Sequence, residues 1–311
     1  MKPSGNLIFG LIFAFFVLVT ASFWAFWGAS ENFHEAWHYK SIFLNLKWTL
    51  AYLAPSAAFV GLGVLGIKRP VIGGATICVL AGALMVWWLM ERWPPSPKDF
   101  IHVAMLSSLL LLAGGLLCLF GRVPHAALVV KMVIGVPALI AVACSVEPVW
   151  RIAHRHYDGD LGAREVDGQG TRLIWAPSGP GWDTGGQVSY AKAQFIATHL
   201  SADGRTVMDR PQGIWRLPAV DEIVRSLTRD GQNAGGVWAG ETRRASYMRM
   251  PDKESPLWTP YAPVIYYWTQ SPGVKGSSRW TICYNGRVMS RAEKTSMRSL
   301  GFRLVRETRT P

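Results

Sequence analysis

The stretch Ile214-Trp215-Arg216-Leu217-Pro218-Ala219-Val220-Asp221-Glu222-Ile223-Val224-Arg225-Ser226-Leu227 decides how the second half of this chain is read. It starts as an extended segment and turns into a helix. Pro218 fits the first helical position, where a missing N–H costs nothing. Asp221 and Glu222 place negative charge on the positive end of that helix. Ile223, Val224 and Leu227 supply an apolar stripe at helical spacing. The segment reads as a capped amphipathic helix within a domain that can cover its apolar face.

Upstream, the composition changes. Residues 1–150 hold 9 Lys/Arg and 5 Asp/Glu, whereas residues 151–311 hold 23 and 15, so most of the +12 net charge lies in the second half. The first half carries five apolar runs, at about 7–28, 42–67, 71–90, 101–120 and 126–149. Each reaches the ~20 residues that cross a bilayer core. Short polar joints separate them. The expectation is an all-α transmembrane bundle of about five helices over residues 1–150. The first run also admits a signal-peptide reading, with Val19-Thr20-Ala21 as a cleavage-like site, but its apolar stretch is longer than a usual signal core.

Lys and Arg fall almost evenly on the two sides of this bundle, so the positive-inside rule decides little. Glu31, Glu35, Glu91, Asp99 and Glu147 all fall on one side, together with the polar half of the chain. That favours an N-terminus inside and a C-terminal domain outside, as in a bacterial inner (cytoplasmic) membrane protein with a periplasmic domain. Trp24, Trp27, Trp37, Trp48, Trp87, Trp88, Trp93 and Trp150 lie at the helix ends on that same side. A one-sided anchoring belt and an aromatic-lined groove both fit them.

His34-Glu35-Ala36-Trp37-His38 matches the H-E-x-x-H pattern, which puts two imidazoles on one helix face beside a glutamate. Glu31 extends that face. His34, Glu35 and His38 are therefore candidate ligands of a divalent metal such as zinc, which in catalytic sites needs a third protein ligand and an open water position. Polar anchoring at a helix end accounts for the same residues.

Residues 151–170 are polar, contain glycine and lack periodicity, and read as a linker. A compact domain follows over 171–306, with 307–311 as a tail. Strands are expected at 171–176, 264–268, 280–284, 287–290 and 302–306. A helix capped by Ser189 is expected over 190–200, and a second from Pro218 to about Arg229-Asp230-Gly231. Residues 232–263 read as loop, and Asn285-Gly286 as a two-residue hairpin turn. Two early helices followed by antiparallel strands make an α+β domain.

Several pieces, in order, resemble the superfamily of formylglycine-generating (sulfatase-modifying factor) enzymes, and its small bacterial members above all. These are Leu173-Ile174-Trp175-Ala176, Ser189-Tyr190-Ala191-Lys192-Ala193 and Trp215-Arg216-Leu217-Pro218 with Glu222. Tyr267-Trp268-Thr269, Trp280 to Gly286 and Phe302-Arg303-Leu304-Val305-Arg306 complete the set. The resemblance covers about 135 residues of the C-terminal half, and each piece alone is unspecific. It implies a C-type-lectin-like fold. It also implies that Trp215, Arg216, Pro218 and Glu222 form a structural signature, with the arginine held two-pronged by the carboxylate near a helix start.

The family's oxygen chemistry uses a pair of cysteines to bind copper, and here Cys283 stands alone in the soluble half. One thiolate does not make a soft two-sulfur site. The lectin motifs for calcium-dependent sugar binding are also missing. What remains is surface chemistry: residues 151–311 carry 19 Arg against 4 Lys, and seven tryptophans. Arg243, Arg244, Trp238 and Trp258 are the candidate ligand-binding residues, since arginine suits phosphate, sulfate and carboxylate. No nucleic-acid motif is present. The leading expectation is a membrane protein displaying a non-catalytic binding domain for an anionic ligand, a glycan, a lipid headgroup or another envelope protein. The alternatives are a membrane enzyme, using the His34/Glu35/His38 metal site or an altered sulfatase-modifying-type activity, and a membrane sensor or assembly factor.

Overall fold

The computed structural model describes residues 5–91, 105–182, 187–240 and 245–308. The chain divides into two compact units, Met1–His34 with Leu46–Pro148, and Glu35–Asn45 with Val149–Pro311.

The first unit is helical: α1 Gly5–Glu31, α2 Ile42–Lys68, α3 Pro70–Glu91, α4 Met105–Phe120 and α5 Ala126–Ala153, the outer turns of α2 and α5 belonging to the second unit. Four stretches are long and apolar enough to cross a membrane: Asn6–Ala36, Ile42–Lys68, Pro70–Trp87 and Ala126–Ala153. The fifth expected run appears as α4, which spans 16 residues. The start of that run, 101–104, lies outside the described residues. Phe13, Val17, Ile67, Ile77, Cys118 and Val133 form the buried centre. Small residues set how close α3 and α4 come. A Cβ on Gly74 would lie 2.8 Å from the Gly115 carbonyl oxygen, the kind of approach that small residues permit between apolar helices. Two polar side chains inside are tied across helices: Ser56 Oγ donates to Ala21 O at 2.8 Å and Asn32 Nδ2 to Thr49 Oγ1 at 2.9 Å.

The second unit carries the sheets. β1 (Arg164–Gly168), β2 (Thr171–Trp175) and β11 (Val305–Glu307) form one antiparallel sheet in the order β1-β2-β11. β7 (Tyr266–Pro272), β8 (Ser278–Cys283), β9 (Val288–Ala292) and β10 (Leu300–Gly301) form another in the order β10-β7-β8-β9, with β10 parallel to β7. Two short ladders follow, β3–β4 (Thr228–Arg229, Gln232–Asn233) and β5–β6 (Val237–Trp238, Ala245–Ser246); β3 lies at the expected end of the helix, and β4 to β6 lie in the stretch expected to be loop.

Two helices complete the unit, α6 (Tyr190–His199) and α7 (Val220–Ser226). Ser189 caps α6 as expected, accepting from Lys192 N at 3.4 Å. At seven residues, α7 is far too short to hold its shape alone. Its stripe supplies what propensity does not. Val220, Ile223, Val224 and Leu227 are all 0 % exposed, and such burial is worth roughly 1.5–3 kcal/mol per side chain.

Several expectations need correction. Pro218 lies one residue before the N-cap, which is Ala219, and its carbonyl accepts from Gln270 N at 2.9 Å. The helix stops at Ser226, not at Gly231. Asp230 (φ 55°) and Gly231 (φ 74°) are the left-handed pair of the β3–β4 hairpin turn, a role Asp-Gly suits better than ending a helix. Residues 151–170 are not a plain linker: they hold the end of α5 and strand β1, which turns through Gln169 and Gly170 into β2. The β8–β9 turn centres on Tyr284-Asn285, with Gly286 N donating to Cys283 O at 2.9 Å and Gly286 left-handed at φ 81°. That is a three-residue loop with a bulge glycine, not an Asn-Gly two-residue turn.

Candidate binding cleft and its supports

Arg216 is built in from both backbone and side chain. Its N–H donates to Val305 O and its C=O accepts from Val305 N, both at 2.9 Å, fastening it beside β11. Nη1 and Nη2 each reach one oxygen of Glu222 at 2.7 Å, and Nη2 also reaches Glu307 at 2.6 Å. Glu222 Oε2 accepts from Ala219 N at 2.7 Å, half of a capping box whose N-cap has no side-chain oxygen to complete it. Trp215 is 4 % exposed and donates to Ser201 O at 2.8 Å. These residues tie an extended segment, a helix start and a strand together.

The other candidate residues fare differently. Trp258 is core: it is 2 % exposed and stacks on Tyr267 with centroids 3.7 Å apart. Its ring face is taken up by Tyr267 in the interior, so Trp258 offers no surface to a ligand, contrary to the expectation. Trp238 is half-buried against Trp280, edge to face at 6.1 Å. Arg243 and Arg244 lie outside the described residues.

The His34/Glu35/His38 segment does not form the expected face. Asn32–Ala36 is a π-helical turn and His38 follows it in a turn, so the four-residue spacing no longer stacks the imidazoles. His38 Nδ1 lies 2.9 Å from Glu35 O, and its ring stacks on Tyr39. Burial, then the charge of Lys253, pushes the His38 pKa down to about 4. Among the described residues, no three His, Cys, Asp or Glu side chains are grouped to hold a metal.

A cluster that the sequence does not announce lies at Asp252-Lys253-Glu254-Ser255, where four consecutive polar residues are at most 3 % exposed. Asp252 takes Arg155 Nε at 3.1 Å and Nη2 at 2.9 Å, with Arg229 at 3.7 Å and Arg151 at 3.8 Å. Glu254 accepts from His156 N at 3.2 Å and Gly231 N at 3.1 Å. Burial still leaves its carboxyl above the usual range. Ser255 Oγ donates to Asp158 Oδ1 at 3.0 Å, and Lys253 Nζ donates to Ala262 O. Segment 155–158 is thus pinned through side chains nearly a hundred residues away.

This pinning shapes a cleft of about 270 Å³ between the start of the domain, the end of α7 and Ser255-Pro256. Asp158, Glu165, Asp167, Arg164, His156, Ser226, Thr228 and Asn233 line it. Arg164 pairs with Asp158 at 2.6 Å. Burial acts against the charged form of Asp158, but hydrogen bonds from Asp160 N, Arg164 and Ser255 outweigh it and hold the carboxyl below the usual range. Ser226 Oγ donates to Glu222 O at 2.7 Å and Thr228 Oγ1 to Ser255 O at 3.0 Å. Their protons are engaged inside the protein, which leaves oxygen lone pairs for a guest.

A second, open groove of about 740 Å³ runs over Ile174 and Ile214 beside Arg306 and Glu307. Its charged walls are already engaged, Arg306 over Trp215 at 4.8 Å and Glu307 on Arg216.

Cys283 is 1 % exposed in β8, and burial pushes its thiol up to about 12. A thiol so protonated is neither a nucleophile nor a metal ligand near neutrality. No family model, no curated protein and no solved structure matches this chain, so the reading of the site rests on its own chemistry.

Proposed function

We propose that this chain is a bacterial inner-membrane protein whose C-terminal domain is a non-catalytic binding module of lectin-like fold, related to the sulfatase-modifying superfamily and displayed on the periplasmic side. The observation that carries the reading is the cleft of about 270 Å³ lined by carboxylates, hydroxyls and an amide. That volume is just under the ~300–1,000 Å³ of drug-sized sites and suits one compact polar group. Three carboxylates against one arginine disfavour an anionic ligand at this spot. A neutral glycan, offering O–H groups to oxygen acceptors, fits better. The burial of Cys283 and its protonated thiol argue against the family's oxygen chemistry.

The test uses the full chain in lipid nanodiscs and a panel of neutral and anionic oligosaccharides. Neutral members should bind, and Asp167→Asn or Asn233→Ala should weaken them at least tenfold. Binding restricted to anionic members, or unaffected by both substitutions, would refute the assignment. A C-terminal reporter fusion read in both compartments checks the side. A sensor is the second reading, favoured because the cleft residue His156 follows the end of α5 by three positions.

A further inference from the structure

Among the described residues, Arg303 in the core of the C-terminal unit makes no hydrogen bond to a carboxylate. Arg303 is 1 % exposed. Its guanidinium lies 3.6 Å over the Trp182 ring and 6.0 Å from the centre of Trp175. Nε donates to Ala176 O at 3.0 Å and Nη1 donates to Pro256 O. Both acceptors are neutral carbonyls. Nη2 is buried and makes no hydrogen bond among the described residues.

Among the described residues, the carboxylates whose field reaches Arg303 are Asp158 and Asp160. Both are engaged by Arg164, at 2.6 and 3.6 Å. A guanidinium buried without a counter-charge is strongly unfavourable, and its removal from water has to be offset locally.

The same interior leaves two more donors unmatched. The indole N–H groups of Trp175 and Trp258 are buried without an acceptor, and both rings belong to one packed cluster that also holds Trp182. Orphaned buried polar atoms are rare, and a bound water or ion is one way in which such donors are satisfied. These orphans are N–H donors, and the Trp175 ring lies 6.0 Å from the Arg303 guanidinium. The matching guest accepts hydrogen bonds, donates none, carries one negative charge and is small.

We propose that the free Nη2 edge of Arg303 binds a buried monovalent anion of halide size, chloride under ordinary conditions, which neutralises the guanidinium. An internal water would satisfy the hydrogen bond but not the charge. Occupancy then links the stability of the domain to halide concentration.

The full chain, purified in detergent in sodium methanesulfonate, is melted by tryptophan fluorescence while chloride or bromide replaces methanesulfonate at constant ionic strength. A ligand that binds the folded state alone raises Tm in a saturable way, here by roughly 2–4 °C. Arg303→Met should abolish the response. If that variant does not fold, bromide-soaked crystals of the unaltered protein should give an anomalous peak beside Nη2. A Tm indifferent to halide, a response that survives in Arg303→Met, or density that behaves as water alone would each overturn the proposal.

Discussion

Replacing Lys253 with methionine should make the protein more stable, not less. Lys253 is 3 % exposed, and its ammonium donates to Ala262 O. Burial, then the charge of Arg155, pushes its pKa down to about 7, against the weaker pull of the Asp252 carboxylate. In the unfolded chain it returns to about 10.4. Between those values the unfolded state binds a proton that the folded state lacks. Stability therefore rises with pH from about 7 toward 10, by at most ~1.4 kcal/mol per pH unit. At pH 7 the folded state still carries a penalty of roughly 4 kcal/mol from this residue. Methionine removes it but leaves the Ala262 carbonyl unpaired, at about 1–3 kcal/mol. The net gain for Lys253→Met is then roughly 1–3 kcal/mol at neutral pH, shrinking by pH 9. Denaturant titrations in detergent at pH 7, 8 and 9 measure it. A wild-type curve flat over this range, or an equally steep one in Lys253→Met, would refute the reasoning.

On the acid side, His38 is held neutral in the fold and its pKa lies near 4. Protons captured by the unfolded chain below about 6.5 therefore lower stability as pH falls toward 4, and His38→Gln should flatten that limb of a stability–pH profile. With Cys78, Cys118 and Cys144 replaced by serine, Cys283 should resist a maleimide at pH 7.5 until denaturant is added. Rapid labelling of the folded protein would contradict its burial. A double-mutant cycle on Arg216→Ala and Glu222→Gln should give a coupling of about 1–2 kcal/mol. Glu222→Ala should cost more than Glu222→Gln, because it also strips the Ala219 N–H of its acceptor.

The readable part of this chain was whatever local rules decide. Five apolar runs announced five helices, and Ser189 announced its cap. The apolar stripe at 223, 224 and 227 announced a buried helix face. Turn geometry was only half legible. Asp230-Gly231 satisfies both a helix end and a hairpin, and only pairing with Gln232–Asn233 selects the hairpin. Tertiary burial was not legible at all. Asp252-Lys253-Glu254-Ser255-Pro256 has the composition of a solvated loop, and nothing in its spacing reveals that Arg155, His156 and Asp158 close over it. Trp258 went astray for the same reason: its position in a loop suggested display, whereas Tyr267 takes up its ring face. The candidate cleft depends on these long-range contacts, so its residues had no collective signature in the sequence.

The buried tetrad also has a consequence for modularity. A fragment beginning at residue 164 would keep β1 onward yet lose the guanidinium of Arg155 and the main chain at His156. Asp252 would lose its two short guanidinium bonds and keep Arg229 at 3.7 Å, and Glu254 would lose the His156 N–H and keep that of Gly231. Such a fragment should express as an aggregating or molten species, whereas one beginning near Val149 retains its own neutralising partners. Evolution faces the same constraint as the cloning bench: this domain is not a cassette to be lifted onto another anchor, because its interior is completed by the residues that connect it to the one it has.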